Sequence, residues 1–135
     1  LKLIRIQLVA FKDETIGIIC GLRDTCSDLR HRFDKTDLAA LVCVHGVDVD
    51  PEFDESKLIH VITIYSSKGT EFKCVHMYGV EELEAPFLRR TKLSYTAVTR
   101  AKTTLNVYCT GETTAKIESA FAEKTMASLD DLFSD

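Results

Sequence analysis

Residues 61–80 read VITIYSSKGTEFKCVHMYGV, and the order of elements within this stretch decides how the rest of the chain is read. The run 58–65 (LIHVITIY) is apolar at nearly every position, as in a parallel strand covered on both faces. A polar segment with one glycine follows, and CVHMYGV at 74–80 is a second strand-like run. Lys68-Gly69-Thr70 carries the letters of a phosphate-binding loop in exchanged order. A true loop needs G-x-x-x-x-G-K-[ST], so that backbone N–H groups can wrap the phosphates. Gly46 is the nearest glycine upstream, and no Gly-Lys follows Gly17 or Gly21. The chain has no Walker A.

Working outward, β-branched residues at 15–20 (TIGIIC) and apolar ones at 39–44 (AALVCV) and 104–109 (TLNVYC) predict three more strands. Helical spacing of Leu22, Cys26, Leu29 and Phe33 predicts a helix over 24–33. Pro86 in a first turn predicts another over 86–102, and a last helix is expected over 113–122. The acidic stretch 48–57 reads as a connection. Residues 1–14, whose first ten alternate (LKLIRIQLVA), are expected to be an N-terminal strand or linker stump, 15–122 the folded domain, and 123–135 an acidic tail. Strands alternating with helices predict an α/β domain with a mainly parallel central sheet.

Composition narrows the function classes. A chain of 135 residues suits one domain with a single core. Its net charge of −4 provides no global basic field for duplex DNA, so nucleic-acid contacts must be local. Five cysteines form no C-x-x-C pair and four histidines show no zinc spacing, so no metal site is expected. Buried free thiols suit a reducing compartment, and a cytoplasmic protein is expected. No apolar run approaches the ~18 residues of a membrane span.

Two blocks carry a family resemblance. Residues 61–80 resemble motif V of the UvrD/Rep-type superfamily 1 helicases, a strand followed by h-S-x-K-G-x-E-F and another strand. Residues 89–111 (RRTKLSYTAVTRAKTTLNVYCTG) resemble motif VI, L-x-Y-x-A-x-T-R-A-K followed by a strand. The IGIICGLRD stretch around Arg23 looks like the opening of the family's second RecA-like domain. The resemblance implies a RecA-like (P-loop NTPase-like) three-layer C-terminal domain of an ATP-dependent DNA helicase or translocase. ATP and Mg²⁺ would be held mainly by an N-terminal RecA-like domain, with single-stranded DNA as the other partner.

Residue by residue, the resemblance makes Arg100 an arginine finger at the γ-phosphate, a role suited to a planar, always charged fork. Glu71 would accept a hydrogen bond from the ribose, and Gly69 would supply a special backbone conformation. Lys68 is either structural or faces the nucleotide or strand. Ser66 and Ser67 either hydrogen-bond a DNA phosphate or form the turn. Tyr65 stands where many relatives have His, and its ring either stacks on a base or packs at the strand end. The large subdomain that many relatives insert upstream of motif V is missing, and the asparagine-tyrosine-arginine signature of motif IV is not found. A half domain that has lost its motor and docks protein or nucleic acid is the competing reading. Without a phosphate cradle, the chain alone is expected to be inactive.

Overall fold

The structure, a computed structural model, describes residues 1–47, 54–79, 81–82, 96 and 98–108. Five strands form one sheet in the order β2-β3-β1-β4-β5, and every pairing is parallel. Along the chain come α1 (Lys2–Ala10), β1 (Ile16–Cys20), α2 (Arg23–Phe33) and a 3₁₀ turn (Ala39–Leu41). β2 (Val42–Val44), β3 (Ile59–Thr63), β4 (Phe72–Tyr78) and β5 (Ala101–Tyr108) follow. The expected parallel sheet is therefore present.

β1 is the central strand and buried at every position, which suits its run of isoleucines. Ile16, Ile18 and Cys20 face one side and pack with Cys26, Leu29 and Phe33 of α2. Ile19 faces the other, with Ile62, Ile64, Phe72, Val75 and Met77. The connection from β1 runs through α2 over the first face, while Ile64 and Phe72 bound the β3–β4 connection on the second.

Three expectations change. Residues 2–10 form a helix, not an edge strand. The buried positions are Ile4 and Gln7, with Leu8 and Phe11 packed beside the core, a helical i, i+3, i+4, i+7 stripe. Gln7 is polar, so it hides that stripe in the sequence. It is buried because Oε1 accepts from His76 Nε2 (2.6 Å), while Tyr108 donates to His76 Nδ1 (2.9 Å). Burial pushes the His76 pKa down to about 4.

The second change is at the start of β5. The helix expected to run to Lys102 gives way to a turn at Thr99 and Arg100, and the strand begins at Ala101. Pairing decides this: Ala101 is in register with Phe72, and the Phe72 N–H donates to the Arg100 carbonyl at 2.9 Å. The third is smaller, since Ala39–Leu41 form a 3₁₀ turn and only Val42–Val44 join the sheet. The connection at 48–53, most of the expected 86–102 helix, the 113–122 helix and the 123–135 tail lie outside the described residues. Among the described residues, no helix is long and apolar enough to cross a membrane.

Candidate nucleotide and strand site

The β3–β4 connection leaves the carboxyl end of β3, where Ile64 N–H donates to the Cys20 carbonyl at the end of β1. It arrives at the amino end of β4, where Lys73 N–H donates to Thr15, just before β1 begins. Residues 64–71 thus cross the whole width of a five-residue strand, about 16 Å. Tyr65 and Ser66 lie near one edge of the sheet and Glu71 at the other.

Phe72 is the anchor. Its side chain is fully buried, and a Cβ added at Gly17 would lie 2.3 Å from its Cδ2. Glycine at 17 therefore lets the ring lie directly on β1. Within the connection, Ser67 N–H donates to the Thr63 carbonyl (3.0 Å) and its hydroxyl to the Ile64 carbonyl (2.7 Å). Thr70 N–H and Oγ1 both donate back to the Ser67 carbonyl. Gly69 has φ +86°, with no atom within 4 Å of where a Cβ would sit. Its requirement is conformational, not steric.

Arg100 sits against this segment, half-buried. Its Nε donates to the Thr96 carbonyl, Nη1 to the Thr70 carbonyl and Nη2 to Thr99 Oγ1, each at 3.1 Å. A guanidinium has five N–H donors, so these three contacts leave two without a partner among the described residues. Glu71 and Arg100 each precede one member of the Phe72–Ala101 rung, which places both at the amino edge of the sheet. Lys102 Nζ lies 3.5 Å from Glu71 Oε2, and both groups are largely exposed. Such a pair orients the carboxylate but adds little stability.

The nucleic-acid candidates separate. Tyr65 is 51% exposed, and Ser66 is exposed with its hydroxyl accepting from Thr63 Oγ1 at 3.1 Å. Ser67 is fully buried, and its hydroxyl is spent on the turn. Of the two readings for Ser67, turn former is the one that fits this geometry. Lys68 is exposed beside Gly69. A cavity of about 410 Å³, lined by Ile4, Leu29, Phe33 and Tyr108 among others, is on the opposite face of the sheet and includes none of these residues.

Residues 58–108 match the UvrD-like helicase C-terminal domain family. The matched segment runs from the residue before β3 to the last residue of β5, so it holds the crossing connection and Arg100. It covers under half of the chain. In structure, the chain is similar to the C-terminal domain of a possible DNA helicase from Lactobacillus plantarum WCFS1. That likeness has a TM-score of 0.58 at 19% identity, over 84% of this chain and 68% of that one. It is also similar to the Pyrococcus furiosus Hef helicase domain, with a TM-score of 0.53 at 16% identity, over 91% of this chain and 27% of that one. The chain therefore spans about a quarter of the Hef helicase domain. At these identities the likeness shows the fold, a RecA-like α/β domain. No curated protein matches the chain.

Sequence reading missed several groups that build the UvrD-like segment and its surroundings. The Thr70 carbonyl holds Arg100, and backbone acceptors carry no sequence signature. Glu82 accepts from the Leu22 N–H (3.1 Å) and from the Thr25 hydroxyl, so a residue 60 positions away holds the start of α2. The four described cysteines, Cys20, Cys26, Cys43 and Cys74, are buried thiols outside any disulfide, as expected. The histidines do not all stay scattered: Cys43, His45 and His60 offer three metal-ligating atoms within 4.8 Å of one another. The absence of zinc spacing in sequence did not exclude this cluster, because strand pairing assembles it.

Proposed function

We propose that this chain is the second motor domain of an ATP-dependent DNA helicase or translocase, completing an ATP site whose P-loop belongs to another RecA-like domain. The observation that carries the proposal is the bond between Arg100 and Thr70. It ties a candidate phosphate-sensing side chain to a segment whose other end presents Tyr65 and Ser66 about 16 Å away across the sheet.

Each part follows from its chemistry. The chain has no loop to cradle phosphates, so the partner domain holds ATP and Mg²⁺. Arg100, with two N–H groups unused among the described residues, stabilises charge developing on the γ-phosphate when the domains close. Glu71 accepts a ribose hydroxyl, Gly69 brings backbone near the nucleotide, and Lys68 adds positive charge beside it. As Arg100 engages phosphate, its hold on the Thr70 carbonyl changes, and the 64–71 segment passes that change toward Tyr65 and Ser66. There, a ring and a hydroxyl contact a base and a phosphate of single-stranded DNA.

Calorimetry and turnover assays on this chain, alone and within its full-length gene product, test the division of labour. The chain alone binds ATP weakly and hydrolyses none, while the full-length protein hydrolyses ATP and is stimulated by single-stranded DNA. Tight, Mg²⁺-dependent ATP binding by the chain alone would overturn the shared-site reading. Submicromolar DNA binding by the chain alone at physiological salt would favour a docking module instead.

A further inference from the structure

We propose that Cys43, His45 and His60 form a binding site for a tetrahedral divalent cation of the zinc class, at the β2–β3 side of the sheet. Cys43 and His60 are partners on one rung of the parallel ladder, which brings them side by side. His45 follows Cys43 by two residues, hence on the same face, and its N–H donates to the Val61 carbonyl at 2.9 Å. The three candidate ligand atoms lie within 4.8 Å of one another.

Proton positions follow from the partners. His60 Nε2 is 2.9 Å from the Lys57 carbonyl, which can only accept, so Nε2 carries the proton and the Nδ1 lone pair faces His45. His45 Nε2 approaches that lone pair at 3.1 Å. Tetrahedral zinc with Zn–N near 2.1 Å sets its nitrogen ligands about 3.4 Å apart, so the two rings need to separate by only about 0.3 Å. His45 would shift its proton to Nδ1 and present Nε2 as ligand. The Cys43 thiol would lose its proton to solvent, so one proton is released per ion bound. His60 already has the backbone carbonyl partner that orients ligating imidazoles.

The donor set, two imidazoles and a thiolate, selects zinc over magnesium or calcium. His45 is half-buried, so the ion has a route of entry from solvent. Cys43 and His60 are buried, so the ion would fasten the three-residue strand β2 to β3.

Cobalt(II) titration of the reduced chain, followed by zinc competition, tests the site. We expect one ion per chain, a thiolate-to-cobalt charge-transfer band that disappears in Cys43→Ser, and zinc affinity at least about 10-fold weaker in His45→Ala. His31→Ala, on the exposed face of α2, should leave affinity unchanged. Since Cys43→Ser alters a buried residue, imidazole NMR of the unmutated chain provides a second measurement, and zinc should shift the signals of two histidines. No thiolate band, a band that survives in Cys43→Ser, or unmoved imidazole signals would overturn the proposal and leave a hydrogen-bonded histidine pair only.

Discussion

Replacing Gly17 with alanine places a methyl group 2.3 Å from Phe72 Cδ2 and 2.6 Å from its Cγ. Ordinary carbon contacts begin near 3.5 Å, so the overlap exceeds 1 Å and the ring must move. Gly17 has no positive φ, so alanine suits the backbone and by itself would add about 0.5–1 kcal/mol of stability in a strand. Overpacking of a tight core costs roughly 1–3 kcal/mol and should win. A net loss of about 1–2 kcal/mol corresponds to a Tm lower by roughly 3–12 °C for a domain of this size. Urea unfolding followed by circular dichroism should show a lower midpoint with an unchanged slope. Phe72→Leu, whose smaller side chain can turn aside, should make Gly17→Ala less costly, a coupling visible in a double-mutant cycle. An unchanged midpoint in Gly17→Ala, or full additivity in the cycle, would show that Phe72 is not seated on β1.

Two further outcomes are expected of the fold. His76 has its pKa pushed down to about 4 from 6.5, so lowering pH protonates the unfolded chain first. Its contribution, about 3 kcal/mol at most, is fully present above pH 6.5 and is lost as pH falls toward 4. Denaturant titrations at pH 7.5 and 4.5 should show a smaller loss in His76→Gln than in the unmutated chain; equal losses would remove His76 from the explanation. Glu82→Ala removes two hydrogen bonds at the start of α2 and should cost about 1 kcal/mol, read as a lower urea midpoint, whereas an unchanged midpoint would mean that water replaces Glu82 equally well.

What could be read in advance divides along physical lines. The strands were legible because a parallel strand buried on both faces must be apolar throughout, and TIGIIC and LIHVITIY admit little else. The candidate roles of the segment 64–71 and of Arg100 rest only on resemblance to a helicase family, since composition says nothing about an arginine's partner. α1 was misread because LKLIRIQLVA satisfies a period of two as well as a helical stripe. The deciding residue, Gln7, is buried by a partner 69 positions away. The start of β5 was placed late because Thr-Arg-Ala-Lys suits a helix locally, while the rung with Phe72 is a long-range term. Ser66 and Ser67 are neighbours with the same side chain, yet one faces solvent and the other is sealed in the turn. Cys43, His45 and His60 meet through strand register, which spacing along the chain does not encode.

The most direct measurement is steady-state ATP turnover by the full-length protein carrying Arg100→Ala, with ATP affinity and thermal stability determined on the same sample. The guanidinium holds two backbone carbonyls from a half-buried position, so its loss should cost about 1 kcal/mol and leave the domain folded. Turnover should fall roughly 10³–10⁵-fold while ATP affinity changes far less, because in the proposed site the charge would act on the transferring phosphate. Arg100→Lys should recover only part, lacking the forked geometry. Arg32→Ala, an exposed arginine on α2, should match the unmutated protein. Turnover of Arg100→Ala at the level of that control, or unfolding of the domain, would contradict the account and leave Arg100 as a clamp on the 64–71 segment alone.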